Sequence, residues 1–340
     1  MVRSPLQGGL PPVGAVVGPV VEIACDESGF SGTNLLRSPT PVIVHASVDL
    51  GADEAIGLIT ALRSGFRFSP YEFKSGQFLR GPGAGGALEW FLAALKGRAH
   101  VHLVDKEFFL VTRIVDLLLT EPSYAAGTRL TQAHRPAALA VYRAGRFVGG
   151  EWDAFLAAFV DLVRIKRRRP GPRNAERFFQ ARDALLRRGL GAPADAVLSG
   201  LSPTRVWDVL TRLDDDRSIP PPLEPMLPAL AETVLSWSGG QRRVLVTHDE
   251  QSALTADRLT RLRQVLADDG GPSAADAGRA GALPAGVSPL AGLVMVDSRD
   301  DPRVQVADLL AGVARRWPAT VNPALLQSLL SSTSLHDPEG

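Results

Sequence analysis

The sequence predicts an α/β fold: one mixed β-sheet flanked by helices and interrupted by a large helical insertion. Short apolar runs of strand character lie toward both ends of the chain, and helical apolar spacing fills the stretch from about 107 to 236. Pro-rich breaks at 170–173 and 219–228 divide that central block. No internal repeat is present. Strands that bracket a helical block fit a single sheet carrying an insertion, because a sheet buries its faces only once its strands are assembled.

Residues 1–18, rich in Gly, Pro and small apolar side chains, read as a flexible N-terminal tail. The first part of the core spans 19–106. Its opening strand covers 20–25, and Asp26-Glu27-Ser28-Gly29 supplies turn chemistry at the end. A Gly/Ser/Asn loop leads to a second strand at 41–48. Asp53 and Glu54 suit the first turn of a helix over 51–64, where carboxylates offset the helix dipole. Tyr71-Glu72-Phe73-Lys74 and a Gly-rich loop at 81–86 precede a helix at 87–96, and a third strand at 101–104 ends at Asp105.

The helical insertion spans 107–240, and the second part of the core spans 241–317. There a strand at 244–247 closes on His248-Asp249-Glu250, followed by a helix at 251–267 and a flexible loop at 268–288. The last strand, 293–296, runs into Asp297-Ser298. Asp301 as N-cap and Pro302 as first helical residue then start a helix. Residues 318–340 read as a C-terminal tail.

Composition narrows the function classes. Apolar residues make up 45% and charged residues 21%, enough for a substantial core. No run approaches the ~20 apolar residues of a membrane span, and the Gly- and Pro-broken N-terminus does not resemble a signal peptide. Cys25 is the single cysteine, which excludes an internal disulfide and a multi-Cys zinc site. A cytoplasmic protein without a membrane partner is expected. Residues 164–188 hold ten Arg or Lys against two acids, a local net of +8 in a chain whose total is +1. Base is therefore concentrated in one segment, while acid is spread through the rest.

Four strands end at an acid: Asp26, Asp105, Asp249 and Asp297. Turns favour Asp, so any one of these alone is structural. Four at the ends of one sheet is a different matter, because gathered carboxylates raise one another's pKa unless a cation sits among them. Hard divalent ions supply that charge and prefer oxygen ligands. On the last helix Gln305 and Asp308 share one face, and Gly312 lies one turn further on the same side. Glu72 and Lys74 alternate, so an extended backbone points both the same way.

These residues carry a family resemblance. The run from Val21 through Cys25 into Asp26-Glu27-Ser28-Gly29 resembles the opening motif of the family called domain of unknown function 3800. The closing stretch, Val296-Asp297-Ser298 leading to Gln305-Val306-Ala307-Asp308, is similar to that family's second signature, with Val306 where Leu is usual. Glu72 with Lys74 matches its E-x-K segment. The resemblance covers about 20–106 and 242–317 and leaves the helical block unmatched.

It implies an RNase H-like fold and a divalent-metal-dependent nuclease, or a related phosphoryl-transfer enzyme, that hydrolyses phosphodiester bonds. In such sites, carboxylates of the first strand, a neighbouring strand and the final helix hold two Mg²⁺ or Mn²⁺ ions. By matching position, Asp26 would be the central ligand, Asp308 the helix ligand, and Asp249 or Asp105 the strand ligand. Glu72 or Glu27 would complete the set, Lys74 would hold a phosphate, and Ser298 and Gln305 would support it.

The basic segment Arg164, Lys166, Arg167, Arg168, Arg169 and Arg173 reads as a phosphate-backbone contact, with DNA or RNA left open. The same cations at a helix C-terminus also offset its dipole. The contrasting function is a non-catalytic RNase H-like module that binds nucleic acid or a protein partner through the insertion. Crowded carboxylates favour the enzyme. Two other chemistries fail on context: Gly81 to Gly86 has the outline of a dinucleotide fingerprint without the apolar strand it needs, and Ser28 lies in no nucleophile elbow.

Overall fold

A computed structural model describes residues 8–12, 16, 18–66, 79, 84–164, 172–268, 282–316 and 323–337. Among them the chain runs β1 (Val20–Ser28), β2 (Val42–Val48), α1 (Ala52–Phe66), α2 (Ala84–Ala94) and β3 (Ala99–Asp105). Helices follow in α3 (Lys106–Leu118), a 3₁₀ turn (Arg129–His134), α4 (Arg135–Gly145), α5 (Gly150–Val163), α6 (Pro172–Arg188), α7 (Ala192–Ser199), α8 (Pro203–Asp215) and α9 (Met226–Ser238). The chain closes with β4 (Arg243–Asp249), α10 (Ala256–Asp268), β5 (Leu290–Val296), α11 (Pro302–Arg315) and α12 (Pro323–Gln327). This is the expected α/β class, with a mixed sheet flanked by helices. No helix among the described residues is long and apolar enough to cross a membrane.

Two units divide the chain. One comprises 1–30, 42–103 and 229–334; the other comprises 31–41, 104–228 and 335–340. The sheet has the order β3-β2-β1-β4-β5. β2 runs antiparallel to β1, while β4 and β5 run parallel to it. β1 is thus central and covered on both faces, which is why Ile23 through Asp26 is one unbroken buried run rather than an alternating one.

On one face Ala24, Val44, Ala46 and Val48 pack with Leu62 of α1, Phe91 and Leu92 of α2, and Val304, Leu310 and Val313 of α11. α11 lies directly on β1 and β2. Its start follows the cap chemistry: the Asp301 side chain accepts from the Arg303 backbone N–H at 2.9 Å, and Pro302 occupies the first turn. On the other face α9 meets the sheet through polar contacts, Trp237 Nε1 donating to Ser47 Oγ at 2.8 Å.

Several boundaries differ from the sequence expectation. Leu10 exchanges both backbone hydrogen bonds with Leu293 at 2.8 Å, so residues 8–12 cover the outer edge of β5 rather than hanging as a tail. Val101 likewise bonds Leu329 at 2.8 Å and Ser331 at 2.7 Å, covering the edge of β3. Both sheet edges are thereby closed by segments that lack strand patterning of their own. α10 begins at Ala256 rather than 251, because the Gln251 side chain accepts from the Ala253 N–H and holds a turn there.

The second unit is helical. Phe178 is fully buried against Phe155. Lys106 is also buried, its ammonium donating to Ser38 Oγ at 2.7 Å and the Thr40 carbonyl at 2.8 Å, which ties the 31–41 segment to the start of α3.

Candidate functional site

β1 does not stop at the turn-forming residues. Asp26 pairs with Ala46, Glu27 with His45 and Ser28 with Val44, so the β2 ladder holds the acidic tetrapeptide extended through Ser28. Alternation then sends Asp26 and Ser28 to the face covered by α11, and Cys25 and Glu27 to the other. The parallel pairing of β4 reaches Cys25 with His248, so the next residue, Asp249, stands level with Asp26. Asp308 comes from α11, one turn beyond the buried Val304.

The charges of three carboxylates act on Asp26. Asp26 is only 5% exposed, although a lone carboxylate at such a depth is costly. Burial pushes its pKa well above the ordinary carboxylate range, and the charges of Glu27, Asp308 and Asp249 push it further. The Glu27 backbone N–H, donating to Asp26 Oδ1 at 2.6 Å, opposes the rise. Glu27 is pushed up to about 7, by burial first and then by Asp249. Its Oε1 accepts from Gln251 Nε2 at 2.6 Å, while its buried Oε2 has no hydrogen-bond partner among the described residues. Asp249 is raised by burial, and its Oδ1 accepts from the Ser298 backbone N–H at 2.9 Å.

Behind Asp249 lies a row of neutral imidazoles. His248 Nδ1 donates to the Asp249 carbonyl at 2.8 Å, which makes His248 Nε2 an acceptor. His45 Nε2, 3.1 Å away, must then donate, leaving His45 Nδ1 to accept from Thr233 Oγ1 at 2.9 Å. Burial drives both rings to the neutral form, His248 down to about 4 and His45 well below its ordinary value. The two rings stack with centroids 5.3 Å apart. They act as a rigid prop under the end of β4.

The sequence candidates are therefore distributed unevenly. The charges of Glu27, Asp308 and Asp249 all reach the buried Asp26, and Ser298 supports Asp249 through its backbone. Gln305 lies on α11 one turn before Asp308. Asp105 is engaged otherwise: its Oδ1 accepts from the Phe108 N–H at 2.8 Å as the N-cap of α3, and it does not figure among the groups that raise Asp26. Glu72 and Lys74 lie outside the described residues, as do Lys166, Arg167, Arg168 and Arg169. Arg164 closes α5 and donates to the Thr33 carbonyl at 3.2 Å, and Arg173 is exposed on α6.

Sequence reading missed three contributors. Gln251, which holds Glu27, gave no signal beyond its place two residues after a strand-end acid. His45 looked like an ordinary strand residue, and only the β2–β1 register puts it on Glu27's face. Arg315, in the last turn of α11, donates from its Nε to Ser28 Oγ at 2.8 Å.

Among the described residues no group of three or more His, Cys, Asp or Glu side chains forms a metal-holding set as placed. The fit to a divalent ion is one of chemistry: hard oxygen donors, mutual repulsion at Asp26 and an unsatisfied buried carboxylate oxygen on Glu27. Comparison with known proteins finds no similarity: no family model matches the chain, and neither a curated protein nor a solved structure resembles it.

Proposed function

We propose that the chain is a divalent-metal-dependent phosphodiester hydrolase of RNase H-like type. The supporting observation is that Asp26 is raised by its burial and then by the charges of Glu27, Asp308 and Asp249, which come from the first strand, the last long helix and the strand parallel to the first. An RNase H-like site draws its carboxylates from those same three kinds of element. A binding module gains nothing from burying repelling acids, whereas a metal site requires them.

Asp26, Asp249 and Asp308 would hold Mg²⁺ or Mn²⁺, with Glu27 completing the set. The bound ions would lower the pKa of a water and offset phosphoryl charge. The chain's own part is orientation. The Glu27 N–H fixes the Asp26 carboxylate, the Ser298 N–H fixes Asp249, and Gln251 fixes Glu27. A nucleic-acid substrate suits the basic segment at 164–173.

Two measurements test this. Millimolar Mg²⁺ or Mn²⁺ raises the melting temperature of the purified chain, and Asp26→Asn or Asp308→Asn removes the rise. At a metal concentration of about 100 Kd the gain is ~2.7 kcal/mol. Second, single- and double-stranded DNA and RNA are offered with and without metal. Cleavage that needs both metal and Asp26 supports the hydrolase. Binding without cleavage of any substrate would replace it with the non-catalytic module.

A further inference from the structure

α11 carries Arg315 seven residues after Asp308, two helical turns on and so on the same face. Ser28, which accepts from Arg315 Nε, projects to the same side of β1 as Asp26. Seven helical residues rise about 10 Å and two strand residues about 7 Å, and a long helical side chain leans back toward the helix N-terminus. The Arg315–Ser28 contact therefore lies two strand residues from Asp26 and two helical turns from Asp308, on the face the two share.

Arg315 is half-buried, yet among the described residues no carboxylate pairs with it; its partner is a neutral hydroxyl. Arg303 on the same helix shows the ordinary solution, with Nη1 2.8 Å from Glu22 and Nη2 2.6 Å from Asp301. Burial and the neighbouring Arg316 push Arg315 down from its usual pKa, as befits a cation short of counter-charge. A guanidinium fixed at Nε keeps its Nη pair in one plane, matched to two oxygens of a phosphate and unable to lose its proton.

We propose that Arg315, steadied by Ser28, grips the non-bridging oxygens of a phosphodiester lying against the carboxylate cluster. This rests on the phosphodiester reading of that cluster and adds the residue that binds the substrate's charge. Four carboxylates alone repel a phosphate. Arg315 supplies a fixed positive charge at the edge of the site, where Ser28 sets its angle.

The test is binding of a fluorescein-labelled oligonucleotide to the full chain, read by anisotropy over a salt series in EDTA and again in Ca²⁺. Arg315→Gln weakens binding by about tenfold to a hundredfold, the range of one charge-assisted contact. It also reduces the slope of log affinity against log salt by about one. Arg315→Lys, which keeps the charge without the fork, falls in between. Ser28→Ala weakens binding a few-fold with the slope unchanged, and Ser28→Thr restores it. If Arg315→Gln melts too low for assay, Arg315→Lys decides.

Equal affinity and slope for wild type and Arg315→Lys or Arg315→Gln overturn the proposal, as does a wild type that binds no oligonucleotide. Displacement by inorganic phosphate at equal phosphate concentration overturns the phosphodiester assignment in favour of free phosphate. Binding that depends on Arg315 without Mg²⁺-dependent cleavage leaves Arg315 standing and removes the hydrolase. Cleavage with unchanged KM in Arg315→Gln does the reverse.

Discussion

Glu27→Gln offers a direct measure of the strain stored among the carboxylates. The Glu27 carboxyl titrates near 7 in the folded chain against an ordinary 4.5. A carboxyl raised on folding stabilises the fold below its unfolded pKa, and that stability is lost as pH rises through the folded value. From pH 5 to pH 8 the loss from Glu27 alone integrates to roughly 2.5 kcal/mol. Asp26 adds to it, since Glu27 is its foremost charged antagonist after burial. The amide brings its own cost, because it replaces a buried Oε2 that has no hydrogen-bond partner among the described residues, worth about 1–3 kcal/mol. That cost does not vary with pH. The slope, not the absolute stability, is therefore the readout. His248, held near 4, pulls the other way by costing stability as pH falls below 6.5, but it does so equally in both chains and cancels. Urea unfolding in EDTA at several pH values should show wild type losing at least roughly 2.5 kcal/mol more than Glu27→Gln between pH 5 and 8. Parallel curves would refute the electrostatic account of the site.

Other perturbations follow from the same geometry. A Cβ at Gly292 would lie 2.8 Å from Pro12 Cδ and 2.9 Å from the Leu10 carbonyl oxygen. Gly292→Ala should therefore displace residues 8–12, lower stability by about 1–3 kcal/mol, and expose the β5 edge, which light scattering would register as association. Asp301→Ala removes the α11 cap and should cost about 1 kcal/mol in urea unfolding. His45→Phe leaves the buried His248 Nε2 without its donor and should cost about 1–3 kcal/mol. The same change loosens the end of β4, so the metal-induced rise in melting temperature should shrink while Asp26 is intact.

Much of the fold was legible because it is written in local chemistry. Apolar runs marked all five strands among the described residues, and the Asp301-Pro302 pair marked the start of α11. The strand-end position of Asp105 was equally visible, yet the sequence could not separate it from Asp249. Both follow an apolar strand, and the difference lies in what comes next: helix α3 begins at once and takes the Asp105 carboxylate as its cap. The edge-covering segments at 8–12 and 323–337 were invisible for a related reason. They pair through backbone groups, which every residue carries, so no side-chain pattern announces them.

Asp26 and Asp308 were named together by the resemblance of their two motifs to one family, since a strand-end acid and a polar position on an apolar helix are each ordinary alone. Which acids meet them was decided by register. The parallel pairing of β4 with β1 brings Asp249 level with Asp26, and the antiparallel pairing of β2 carries Glu27 past the expected turn and onto His45's face. Gln251 and Arg315 gained their roles the same way, by reaching groups 224 and 287 residues distant in sequence. Local sequence sets periodicity and caps over a few residues; the repulsion acting on Asp26 is a property of distances between elements, and those exist only once the sheet has closed.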